Sequence, residues 1–224
     1  MNTGIRAAAS SIFGLASLGL LLFLPAGTLN YWQAWVFVAT TLAVTILPSI
    51  YIARTNPAAL ERRMHGGPRA ESRAVQKVVI TGAFLALFAM VVVSAYDHRM
   101  GWSHPPAWVC LLGDVLVAAG LGLAMLVVIQ NGYAGATVTV ETGQQLTTGG
   151  VYRIARHPMY LGNVIMMIGI PLALGSYWGL LFVIPGIAVL VVRILDEEKL
   201  LAAELPGYRE YTQRVRYRVL PYVW

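Results

Sequence analysis

Two short clusters hold most of the residue types able to do chemistry in this chain. The first, "VYRIARHPMYLGN" (151–163), puts two arginines, a histidine, a proline and two tyrosines between apolar runs. The second, "RILDEEKLL" (193–201), sets Arg193 and Glu197 four apart, hence on one helical face. Pro158 suits the first turn of a helix, where its missing N–H costs nothing. The free N–H groups of that turn, at the positive end of the helix dipole, can hold an anion such as a carboxylate. Tyr160 stands about one turn beyond His157 and shares its face, and Gly162 leaves space there. A plainer reading makes the first cluster a headgroup-level helix cap, Arg193 a snorkelling cation, and Asp196–Glu198 a solvated turn. Both clusters bracket one hairpin, 158–195, so they can meet. A ligand matching both is zwitterionic, with an aromatic portion for Tyr152, Tyr160, Tyr208 or Tyr211.

The elements that must position these residues are membrane helices. The sequence is 58% hydrophobic and only 12% charged, against about 25% charged in soluble proteins. Six apolar segments cover roughly 8–24, 31–53, 75–96, 108–130, 158–174 and 177–195. Most are long enough for a hydrocarbon core of about 30 Å. The expectation is an all-α polytopic integral-membrane protein of about six helices, with five full spans as the alternative. Residues 1–130 form N-terminal scaffold helices and 131–224 the catalytic half, within one structural unit. "PAGTLN" and "GSYW" are tight hairpins with aromatics at their mouths, among them Tyr31 and Trp32.

Orientation follows from the cations. Arg54, Arg62, Arg63, Arg69, Arg73 and Lys77 crowd the connection 54–77, and Arg193, Lys199, Arg209, Arg214, Arg216 and Arg218 crowd the end of the chain. The positive-inside rule then puts both termini and the loops 54–77 and 131–157 in the cytosol, in a bacterial inner membrane. The net charge of +6 reads as headgroup contact, not as nucleic-acid binding. One cysteine, Cys110, excludes an internal disulfide, and four scattered histidines give no metal motif. Gly113, Gly120, Gly122 and Ala124 suit close helix packing. Asp114 is an intramembrane charge of open role. "NPAALERRMHGGPRAESRA" (56–74) reads as a headgroup anchor with a short helix ending at Gly66-Gly67. "YREYTQRVRYRV" reads as a headgroup-facing lid.

From Gly149 to Pro221 the elements "GVYRIARHPMYLGN", "RILDEEKLL" and "LPGYREYTQRVRYRVLP" resemble the isoprenylcysteine carboxyl methyltransferase and phospholipid methyltransferase superfamily, whose signature runs RHPxYxG…EExxL. The resemblance implies S-adenosyl-L-methionine as cofactor, a zwitterion with an adenine ring. It implies that Tyr152, His157, Pro158, Met159 and Tyr160 line the cofactor pocket. Glu197 would hold the cofactor, through its amino group. Gln144, Gln145, Leu146 and Thr147 occupy the loop before GVY, which contributes to the same site. Arg193 matches an arginine on the substrate side.

Methyl transfer is an in-line displacement, in which alignment and exclusion of water supply most of the rate. A carboxylate acceptor needs only positioning by Arg193. An amine acceptor needs a base, and Glu198 or His157 are the candidates. The expected acceptor is a lipophilic or prenylated molecule arriving from the bilayer, with prenylcysteine-like carboxyl O-methylation first and lipid N-methylation second. A sterol-reductase-like enzyme using NADPH and a non-enzymatic scaffold are the competing readings.

Overall fold

Where no water reaches the backbone, each peptide group must find its partner within its own segment, and long apolar runs therefore fold as helices. The computed structural model describes residues 3–64, 67, 69–71 and 73–224, and among these it is all-helical. The helices are α1 (Thr3–Ala26), α2 (Trp32–Thr55), α3 (Pro57–Met64), α4 (Ala74–Met100), α5 (Ala107–Gln130), α6 (Pro158–Ala173), α7 (Val183–Glu204) and α8 (Tyr208–Arg214). Short 3-10 turns at Gly150–Arg153 and Trp178–Phe182 lead into α6 and α7. Gly66, expected to end the short helix, lies outside the described residues; α3 ends at Met64.

All six expected apolar segments are helical. Four are long and apolar enough to cross a bilayer: α2, α4, α5 and Trp178–Glu204, with mean hydropathy from 2.0 to 2.5. The described part of α1 (Ile12–Ala26) and α6 are shorter. With 16 residues, α6 rises about 24 Å, less than the hydrocarbon core. In the other direction, α7 runs nine residues past the apolar segment expected to end at 195. That extension carries Asp196, Glu197 and Glu198 as one continuous helix with Arg193.

The closest packing is between α5 and α6. A β-carbon on Gly162 would sit 2.6 Å from the Gly120 carbonyl oxygen, and one on Gly169 would sit 2.8 Å from that of Gly113. Gly162 therefore serves helix approach, not clearance beside Tyr160. Gly122 takes no part, with nothing within 4 Å of its added β-carbon.

The loops sort to two ends. At the end away from the clusters, the buried Asp97 accepts hydrogen bonds from Ser103 N (2.8 Å), Ser103 Oγ (2.7 Å) and Ser176 Oγ (2.5 Å). Tyr31 is fully buried, donates to Leu174 O at 2.6 Å, and stacks on His98 at 3.8 Å. It is a loop clamp, not the interfacial aromatic its neighbour Trp32 remains. At the other end meet the connection 54–73, the loop 131–157 and the tail.

Candidate active site

The loop 131–157 cannot be a helix through its glycines and threonines, so its ordering depends on what it folds against. Asn131 Nδ2 donates to Tyr152 Oη at 3.0 Å, Gln130 Oε1 accepts from Val151 N at 3.1 Å, and Tyr211 Oη donates to Tyr152 O at 2.7 Å. The tail closes the arrangement from the far side. Arg156 N and His157 N donate to the carbonyls of Tyr217 and Arg218 at 3.0 and 2.8 Å. Leu146 packs with Leu201, Leu205, Tyr208 and Tyr211. The tail is therefore a wall of the site as well as a cover.

These pieces enclose a pocket at the start of α6. Gln144, Gln145, Leu146, Thr147, Tyr152, His157, Pro158, Met159, Tyr160, Arg193 and Glu197 all line it. Tyr208 and Tyr211, proposed from sequence as aromatic partners, line it too. Asn131, Tyr133, Thr137, Thr139, Leu201 and Leu205 also line it, without having been singled out, as does Arg156 of the first cluster.

Glu198 does not line the pocket. Its carboxylate lies 2.9 Å from Arg156 Nε and 3.3 Å from His157 Nε2, and accepts from Arg218 Nε at 2.8 Å. The Arg156 contact is an ion pair without hydrogen-bond alignment. Glu198 so clamps the start of α6 to α7 and to the tail.

Glu197, one residue earlier, points into the pocket. Its Oε2 accepts from Tyr160 Oη at 2.6 Å, and Tyr160 Oη in turn accepts from Arg193 Nε at 3.0 Å. Arg193 is buried, and three further bonds fix it: Nη1 to Glu71 Oε1 (3.1 Å) and Gln76 Oε1 (3.0 Å), Nη2 to Ala136 O (2.9 Å). Behind it, Asp196 accepts from Arg73 and Gln76 at 2.6 Å each. The three acids of "DEE" thus take three different jobs.

Glu71 and Gln76 come from the connection before α4 and from its first turn, and both are buried. The same connection reaches the loop through Arg62, which pairs with Glu141 at 2.6 Å and donates to Gly132 O at 3.1 Å. The stretch 54–77 is therefore docked onto the site. An acid amid six cations, Glu71, and a glutamine in a membrane helix, Gln76, were the available signals.

Two features fit a zwitterion with an aromatic ring. The first turn of α6 lines the pocket and its Ncap residue His157 makes no side-chain cap, so the positive end of the helix dipole lies beside the pocket. Some way along the wall stands the Glu197 carboxylate. Tyr208 Oη is buried without a hydrogen-bond partner among the described residues, a polar atom awaiting a ligand. Burial pushes the hydroxyl of Tyr152 up to about 12 and raises those of Tyr208 and Tyr211. The tyrosines consequently face the pocket as neutral rings and hydroxyls. No group of three or more metal-ligating side chains occurs among the described residues.

The chain is similar to a Delta(14)-sterol reductase of Mus musculus, 36% identical over 91 residues, covering 39% of this chain and 22% of the relative. The chain thus spans under a quarter of the length of that curated relative. The phospholipid methyltransferase family matches residues 108–205, a region that begins upstream of the signature and ends before the tail tyrosines. The matched region holds nearly all of α5, the loop, the α6–α7 hairpin and Glu197.

Proposed function

We propose that the protein is an integral-membrane S-adenosyl-L-methionine-dependent methyltransferase acting on a lipophilic acceptor, by carboxyl O-methylation. The observation that carries this reading is the charge pattern of the pocket. One carboxylate, Glu197, and one uncapped helix start, that of α6, face a common space rimmed by Tyr152, Tyr208 and Tyr211. Glu197 would take the cofactor's ammonium and the α6 start its carboxylate. The tyrosines and the loop 144–147 would hold the adenosine.

The bound cofactor supplies an electrophilic methyl on a sulfonium, transferred with loss of the neutral thioether. This chain's part is alignment and drying. Tyr160, held between Glu197 and Arg193, fixes the position of Glu197. A carboxylate acceptor is already ionised and needs no base, which suits a site whose nearby Glu198 lies outside the pocket and is committed to two arginines and a histidine. The localisation we propose is a bacterial inner membrane with the pocket facing the cytosol, on the strength of the arginine distribution.

The likeness to a sterol reductase favours a second reading, with NADPH in the same pocket. A nucleotide of that charge calls for unpaired cations. The two arginines lining the wall are already matched, Arg156 by Glu198 and Arg193 by Glu71. Titration calorimetry of the detergent-purified protein separates the two readings. The proposal predicts binding of S-adenosylhomocysteine and none of NADPH; the reverse result would overturn it.

A further inference from the structure

Five arginines at the pocket end have a carboxylate within 3.1 Å: Arg62 has Glu141, Arg73 has Asp196, Arg156 and Arg218 share Glu198, and Arg193 has Glu71. Arg63 departs from this pattern. It is mostly withdrawn from solvent. Its hydrogen bond among the described residues runs from Nη1 to Met159 Sδ at 3.5 Å, and a thioether is a weak acceptor. Burial lowers the pKa of this guanidinium, with nearby Tyr160 opposing the shift. A cation held out of water with no carboxylate paired to it among the described residues is costly, and such a site is completed by an anion.

Its position says which anion. The helix α3 lays Arg63 against Met159 in the first turn of α6, next to Tyr160 in sequence, and both of these line the pocket. Next to it lies an apolar cluster of Ile52, Ala59 and Val128, with Leu60, Met125 and Met159 partly buried around it. Arg63 so stands where apolar packing from α2, α3 and α5 gives way to the polar pocket. Arg193 is less available, because four of its five N–H groups are engaged by Tyr160, Glu71, Gln76 and Ala136.

We propose that Arg63 is the anion-docking residue for the methyl acceptor, an amphiphile with a carboxylate or phosphate at the junction of its apolar chain and polar head. This rests on the methyltransferase reading of the pocket. Arg63 would set specificity by charge, and Met159 would take the first part of the apolar chain.

The test measures binding of paired probes to the full-length protein in dodecyl maltoside, saturated with S-adenosylhomocysteine. N-acetyl-S-farnesylcysteine is compared with its methyl ester, and dioleoyl phosphatidate with dioleoylglycerol. At least one anionic probe should bind about tenfold or more tightly than its neutral twin, as expected for a hydrogen bond to a charged group. Arg63→Gln should shrink that preference to within about twofold, and Arg63→Lys should keep part of it. S-adenosylhomocysteine affinity should change far less than the probe preference in both variants, since Arg63 does not itself line the pocket. A preference that survives Arg63→Gln, or none in the wild type, overturns the proposal. Should Arg63→Gln fail to fold, an undiminished preference in Arg63→Lys has the same force. Equal binding of dioleoyl phosphatidylglycerol that neither anionic probe displaces assigns Arg63 to bilayer headgroups, and competition by inorganic phosphate alone assigns it to a free anion; either overturns the acceptor role. Loss of S-adenosylhomocysteine binding in the wild type, with the Arg63-dependent preference intact, refutes the methyltransferase reading and leaves the anion site.

Discussion

Replacing Glu197 by glutamine keeps the shape of the side chain and removes its charge, so the effect on ligands can be worked from the geometry. Glu197 Oε2 accepts from Tyr160 Oη at 2.6 Å, and glutamine's carbonyl can still do so. What disappears is the charge-assisted bond to the ligand's ammonium, with a net value of about 1.5–3 kcal/mol. That corresponds to S-adenosylhomocysteine binding weakened by roughly 10- to 150-fold. 5′-Methylthioadenosine, which has the adenosine and thioether but no amino-acid end, supplies the internal control. Its affinity should be unchanged within about twofold. Calorimetry with both ligands on both proteins gives four dissociation constants and isolates the ammonium contact. Equal weakening of the two ligands would mean that the substitution disturbs the pocket generally. Unchanged S-adenosylhomocysteine binding would refute the assignment of Glu197 outright.

Three further expectations concern the supports of the site and the far end of the bundle. Glu71→Ala strips the buried Arg193 of its carboxylate, and breaking such a pair costs about 3–5 kcal/mol; the Tm should fall by several degrees, with partial recovery in Glu71→Ala/Arg193→Met. Asp97→Asn weakens the clamp on Ser103 and Ser176; the Tm should fall while S-adenosylhomocysteine affinity holds, because the clamp lies at the opposite end from the pocket. The hydrogen bond from Arg62 holds the Glu141 carboxyl below its ordinary range. A depressed folded-state value stabilises above the unfolded one, roughly pH 4.3 for glutamate, and the contribution fades as pH falls through the folded value. In a thermal-shift series the wild type should therefore lose slightly more stability than Arg62→Gln on acidification through this range, the effect being small because both side chains are partly exposed.

The membrane helices were legible because hydropathy runs survive any detail of packing, and their positions followed the six apolar segments closely. The two-cluster pocket was legible for a related reason. Pro158 and the four-residue spacing of Arg193 and Glu197 fix local faces, and a single hairpin fixes their common end. What escaped was long-range. Glu71 reaches Arg193 across 122 residues, and nothing in a polar connection distinguishes an anchor at headgroups from a strut beneath a site. The division of labour in "DEE" was equally hidden, since three adjacent helical positions face three directions and only the neighbours decide each partner. Gly162 shows the same limit: a small residue near a pocket reads as clearance, whereas the Gly120 carbonyl opposite it makes it a packing contact.

In the proposed function this pocket presents a sulfonium methyl to a lipid-phase acceptor. Membranes from cells expressing the protein, incubated with S-[methyl-3H]adenosylmethionine and then extracted with organic solvent, test it most directly. Tritium is expected in the organic phase, released by mild base as volatile methanol when the methyl ester is hydrolysed, and reduced at least about tenfold in Glu197→Gln. An organic phase without tritium, from membranes that instead oxidise NADPH in a manner dependent on this protein, would contradict it.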